Sequence, residues 1–94
     1  MRPLIAALVV SEKSEEHLAR HAVSVTEVEQ LLANPYVLLR SRRGRAATRL
    51  IVGCTNAGRA LTAAISATDD AGAWRLFTAY PSTDNQRELL ARTV

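Results

Sequence analysis

Cysteine occurs once in the 94 residues, so an internal disulfide and a multi-cysteine zinc site are both excluded. That residue, Cys54, sits in the apolar run "LIVGCT" and reads as a packing residue rather than a nucleophile. Aromatic residues are nearly as scarce, at one Trp, one Phe and two Tyr, which leaves Leu, Val, Ile and Ala to fill the core. Apolar runs of membrane-spanning length are missing. The run Leu4 to Val10 follows Arg2 as in a secretory leader, but it is short, lacks a small-residue cleavage site and passes straight into "SEKSEE". It is therefore predicted to be the first strand of a cytoplasmic protein. Repeats, low-complexity tracts and linker-like segments are also lacking, which predicts one domain over 1–94. No phosphate-binding glycine loop, dinucleotide fingerprint, serine-nucleophile elbow or zinc-protease motif occurs. Any catalysis must come from dispersed side chains without a cofactor.

Lysine occurs only once, while arginine is plentiful, and its distribution is uneven. Residues 1–34 carry three cations against five glutamates, a net −2, whereas residues 35–94 carry nine arginines against four acids, a net +5. Six arginines and no acid lie between Arg40 and Arg59. Such polarity suits a polyanion or an acidic protein as partner.

Local patterns predict the elements. Ser11 or Ser14 can cap a short helix through about His21, with Glu12, Glu15 and Glu16 at its positive end. In "VSVTEVEQLLANP", Ser24 and Glu27 form a capping box, and Val23 can staple onto Val28. Val25, Val28, Leu31 and Leu32 make the apolar stripe, and Asn34-Pro35 ends the helix. From Tyr36 onward, strand-like runs alternate with the turns "SRRG", "NAG" and "DDAG", until Pro81 breaks the last strand. "STDNQRELLARTV" reads as a closing helix capped by Ser82 or Thr83. The predicted class is α+β: an N-terminal strand, two helices, a four-stranded antiparallel meander and a closing helix, with the helices on one face of the sheet.

His17 and His21, four apart on a helix, share a face, but no third ligand accompanies them and no metal site is predicted. Arg40, Arg42, Arg43, Arg45 and Arg49 cluster around one turn, where RNA contact and a solvated hairpin tip account for them equally. Arg59 opens a strand directly after Gly58, Arg75 lies in the strand that follows, and Arg87 lies on the closing helix. In a meander the first two are on neighbouring strands, so their guanidiniums are expected to converge. Strict alternation in "WRLFTAY" sets Trp74, Leu76, Thr78 and Tyr80 on one face and Arg75, Phe77 and Ala79 on the other. An open-face arginine beside an aromatic suits RNA, while a charged sheet edge kept soluble is the competing reading.

The order of these segments is similar to that of BrnT-like toxins of the RelE/ParE superfamily. "RHAVSVTEVEQLLANP" resembles their basic residue–histidine pair, turn and capped helix. "GRALTAAIS" resembles their "GR" and apolar strand, and "WRLFTAYPSTDNQR" resembles their strand "R-I-I-S-A-R" and following helix. The resemblance covers about residues 15–90. It places Tyr80 at the motif's second arginine, Gln86 at the helix glutamate, Leu90 near a frequent aromatic, and Ala22 where glycine is usual.

The resemblance implies a RelE-like fold and a metal-independent endoribonuclease toxin of a type II pair that inhibits translation and growth. Its implied partners are an antitoxin protein and RNA, free or on the ribosome, in a homodimer or toxin–antitoxin hetero-oligomer away from membranes. The implied chemistry is attack of a ribose 2′-hydroxyl on the adjacent phosphorus. Arg59 and Arg75 would stabilise the phosphoryl charge, Tyr80 or His21 would transfer protons, and Arg87 would bind RNA with Arg40, Arg42, Arg43, Arg45 and Arg49. The loss of one cation and one carboxylate leaves an alternative, a non-catalytic toxin-like domain that binds an antitoxin or nucleic acid through its arginine-rich face.

Overall fold

A computed structural model describes residues 5–40 and 49–93. It shows an α+β fold in the order β1 (Ala7–Val9), α1 (Glu12–Arg20), α2 (Val25–Ala33), β2 (Tyr36–Arg40), β3 (Arg49–Cys54), β4 (Ala60–Ala67), β5 (Ala73–Pro81) and α3 (Asp84–Thr93). The sheet has five strands in the spatial order β1-β5-β4-β3-β2. From β2 to β5 each strand runs antiparallel to the next, and β1 joins the outer edge of β5 in parallel, with Ala7 opposite Ala73.

The caps are those that the local sequence predicts. Ser11 and Ser14 satisfy each other's backbone N–H at the start of α1, and Ser24 and Glu27 do the same for α2, so orphan donors at both helix starts have partners. Asn34, in extended geometry, closes α2 ahead of Pro35. Thr83 and Gln86 form a third reciprocal box, because Thr83 N–H donates to Gln86 Oε1 at 2.8 Å and Gln86 N–H donates to Thr83 Oγ1 at 3.2 Å.

The main core lies between the sheet and the first two helices. Leu18, Val23, Val28 and Leu31 from the helical segment meet Ile51, Leu61, Ala63, Ile65, Trp74, Leu76 and Ala79 from the sheet. The prediction that all helices share one face is corrected. α3 covers the opposite face, where Leu90 packs on Val37 and Val52, with Leu39, Leu89 and Cys54 around them. The reason lies in β3, which is flanked by strands on both sides and apolar at successive positions, Ile51 inward and Val52 outward, so both faces need a cover. Cys54 is only partly buried in this smaller cluster. Gly53 permits the close approach of β2 and α2, since a Cβ there would stand 3.2 Å from that of Tyr36 and 3.7 Å from that of Leu31. Among the described residues no helix is long and apolar enough to cross a membrane.

Strict alternation fails in β5. Leu76 lies opposite Ile65 and Thr78 opposite Ala64, so Phe77 is an extra residue in the ladder. Such a bulge moves all later side chains to the other face. Ala79 consequently joins Trp74 and Leu76 in the core. Arg75, Thr78 and Tyr80, opposite Ser66, Ala64 and Thr62, share the outward face. The sequence pattern separates Arg75 from Tyr80, and the bulge reunites them.

Candidate nucleic-acid interface

The expected guanidinium pair does not form. The register sets Arg75 opposite Ser66 and Pro81 opposite Leu61, so Arg59, just ahead of β4, lies about seven residues from Arg75's level. At ~3.3 Å per residue that is roughly 20 Å. The two side chains also leave opposite faces of the sheet. The prediction from neighbouring strands neglected position along them: antiparallel order brings the start of β4 beside the end of β5.

Arg59 is heavily engaged. The turn before it is closed by Gly58 N–H donating to Thr55 O at 2.9 Å, with Gly58 at φ 88°, a geometry that favours glycine. Arg59 N–H donates to Thr55 Oγ1 at 3.1 Å. Its guanidinium then reaches across to the turn between α1 and α2, donating to Ala22 O at 2.8 Å, His21 O at 3.4 Å and the Glu27 carboxylate at 3.1 Å. Glu27 also accepts from Ser24 N–H at 3.1 Å. The Ser24 backbone bond, followed by the Arg59 bond, holds the Glu27 carboxyl below its ordinary value.

Beside this turn, two predicted site residues meet. The rings of His21 and Tyr80 have centroids 6.1 Å apart at an interplanar angle of 58°, a tilted aromatic contact. Gln86 holds the phenol, its Nε2 donating to Tyr80 Oη at 3.3 Å. The amide orientation follows from its other partners: Gln86 Oε1 accepts from Thr83 N–H, which can only donate, and from Thr62 Oγ1 at 2.8 Å. Thr62 has one hydroxyl proton, spent on Gln86, so Ser82 Oγ donates to Thr62 Oγ1 across 2.8 Å. Because Tyr80 Oη accepts from Gln86, its own proton remains available to a ligand. Sequence reasoning treated Gln86 only as a lost carboxylate and missed Thr62 and Ser82. Thr83-x-x-Gln86 was the legible signal, since a capping box there fixes the glutamine beside the end of β5.

At the other end of β5 the side chains are less constrained. A cleft of about 320 Å³ between α1 and β5 is lined by Ser11, Lys13, Ser14, His17, Arg75 and Phe77. α1 is fixed over this strand edge by Ser14 Oγ donating to Leu76 O at 2.5 Å. Arg75 is exposed, and among the described residues no carboxylate lies within ion-pair distance of it. Asp69 and Asp70 share an adjacent hollow with Arg75 and Val9. His17 and His21 are one helical turn apart, so the cleft and the His21–Tyr80 contact line one side of α1 in succession. Among the described residues, no group of three or more His, Cys, Asp or Glu is placed to hold a metal ion.

The remaining predicted residues lie apart. Arg40 and Arg49 stand directly opposite each other on β2 and β3, strands away from the α1–β5 cleft. Arg87 pairs with Asp84 on the surface of α3, a contact of little energetic weight. Arg42, Arg43 and Arg45 lie outside the described residues. No family model matches the chain, and no curated protein matches it by sequence.

Proposed function

We propose that this chain is a toxin-like domain that binds single-stranded RNA along the cleft between α1 and β5. The observation that carries this reading is the interleaving of cationic and aromatic side chains in one open cleft, Lys13, His17, Arg75 and Phe77, continued by His21 and Tyr80. Phosphates engage the cations while bases stack on the rings, a sequence-tolerant mode. Arg75 to Tyr80 spans roughly 13 Å, four residues of the facing strand at ~3.3 Å each, enough for a short single-stranded segment. The resemblance to the RelE/ParE superfamily supplies the expected biological setting, an antitoxin partner in the cytoplasm.

The test is titration of a fluorescent single-stranded RNA at two or more salt concentrations. Binding should weaken steeply with salt, and Arg75→Ala should lower affinity about tenfold at low salt. It should also reduce the slope of log affinity against log salt by about 0.7, the value for one phosphate on a single strand. Salt-insensitive binding, or binding indifferent to Arg75, overturns the reading.

One further observation favours a second reading, metal-independent cleavage of the bound strand. His21 and Tyr80 form the adjacent acid–base pair that such chemistry needs. In that reaction the 2′-hydroxyl oxygen bonds to phosphorus as its proton passes to the His21 imidazole. The bond from phosphorus to the 5′-oxygen breaks, and that oxygen takes the Tyr80 phenolic proton, leaving a 2′,3′-cyclic phosphate and a 5′-hydroxyl. The engagement of Arg59 by Glu27 removes the guanidinium pair first expected to stabilise the phosphoryl charge, which is why binding stands first. Incubation with RNA in chelator decides the matter. Cyclic-phosphate ends lost in both His21→Ala and Tyr80→Phe support cleavage, and intact RNA bound to folded protein leaves binding alone. Normal growth of bacteria producing soluble, folded protein would remove the toxin reading.

A further inference from the structure

We infer that Arg59 is a positioning residue for His21 rather than an RNA ligand. The inference deepens the RNA reading and rests on it for its functional consequence. The guanidinium donates to the carbonyls of both His21 and Ala22 and to the Glu27 carboxylate. These partners lie on either side of the turn where α1 gives way to α2. Ala22 takes φ 55° there, a left-handed conformation that an L-residue with a Cβ adopts at a cost. His21 N–H, Ala22 N–H and Val23 N–H all donate back into the last turn of α1. Those bonds secure the donors of the turn, but its carbonyls at His21 and Ala22 point outward and are gathered by Arg59. A backbone held at two successive carbonyls fixes the Cα–Cβ direction of His21, and with it the ring's placement against Tyr80. Glu27 completes the arrangement by neutralising the cation and orienting its fork, as a bidentate-capable arginine requires. With Nη1 committed to Ala22 and Glu27 and Nη2 to His21, Arg59 contributes geometry to the site and no phosphate contact.

The test compares wild type with Arg59→Ala, Arg59→Lys and Arg75→Ala, each checked for folding by circular dichroism. Two readouts are taken: NMR cross-peaks between the His21 and Tyr80 rings, and the salt dependence of binding to a single-stranded RNA. The inference expects Arg59→Ala to lose the ring–ring cross-peaks while the salt slope stays at the wild-type value. Arg59→Lys, which keeps the charge but donates from a single point, should retain weakened cross-peaks. Arg75→Ala should show the reverse, intact cross-peaks and a reduced slope. Cross-peaks that persist in folded Arg59→Ala overturn the inference, as does a slope that falls by about 0.7 in that variant. If Arg59→Ala does not fold, Arg59→Lys decides by the same two readouts: unweakened cross-peaks or a changed slope overturn it. Absence of RNA binding by the wild type would defeat the RNA reading, whereas the cross-peaks would still decide what Arg59 does.

Discussion

Arg59 and Arg75 are the same residue type, one just ahead of β4 and the other in the adjacent β5, yet their surroundings are opposite. Arg59 sits at a closed end, where a helix-start carboxylate and two turn carbonyls accept from both of its terminal nitrogens. Arg75 sits at an open end, exposed beside a cleft and without an ion-pair partner among the described residues. The lesson is that an arginine's availability to a ligand depends on the acceptors within reach of its guanidinium. Backbone carbonyls, which no sequence motif displays, count as much as acids.

The comparison can be broken most severely from below. Leu31 is fully buried under the closed end, so Leu31→Ala should lower unfolding free energy by about 2–5 kcal/mol in urea melts. Val9→Ala, at the open end where the side chain is 48% exposed, should change it by less than about 0.5 kcal/mol. Equal losses at the two positions would show that the ends do not differ in rigidity. A smaller effect is expected at Thr62, which is fully buried and links Ser82 to Gln86. Thr62→Val should cost about 1–3 kcal/mol by leaving polar groups without partners, and should broaden the Tyr80 ring resonances while leaving those of Phe77 unchanged.

Smaller again, and of opposite sign, is the response at Ala22. Ala22→Gly should stabilise the protein by about 0.5–1 kcal/mol, read as a rise in Tm, because glycine adopts φ 55° without a Cβ penalty. A fall in Tm would mean that the turn is held without strain. The smallest effect is the pH dependence of Glu27. Its folded carboxyl is held below the ordinary value, so the unfolded chain binds its proton first as pH falls. The contribution is therefore complete above the ordinary carboxylate range and disappears as pH drops through the lowered folded value. Glu27→Gln should flatten that portion of the acid limb in melts recorded from neutral to acidic pH. An unchanged acid limb would argue that the Ser24 and Arg59 bonds do not form in solution.

The parts of this fold written in short-range patterns were readable in advance. A serine cap at Ser11 or Ser14, the capping box at Ser24, the stop at Asn34-Pro35 and the strand character after Tyr36 all depend on residues within a few positions of one another. The left-handed geometry at Ala22 was not readable, because alanine does not announce it as a glycine would. The site was harder to read because it depends on register. One extra residue at Phe77 reverses the face of everything after it, and "WRLFTAY" contains no glycine or proline to announce the irregularity. The separation of Arg59 from Arg75 likewise depends on how far β4 extends before turning. The placement of α3 on the far face required weighing β3 as a strand apolar on both sides, not one apolar on alternate sides. The rings of His21 and Tyr80 meet by way of the bulge and Gln86, neither of which a strand pattern displays.

The parallel alignment of β1 with β5 has a consequence for how the chain matures. Ala7 finds its place only opposite Ala73, so the earliest described strand must wait for the last one to exist. During synthesis the intervening hairpins can assemble first, while the segment bearing His17 and His21 remains without its final support. Whatever depends on the finished packing of α1 on β5 would then wait until β5 has been made and has emerged from the ribosome.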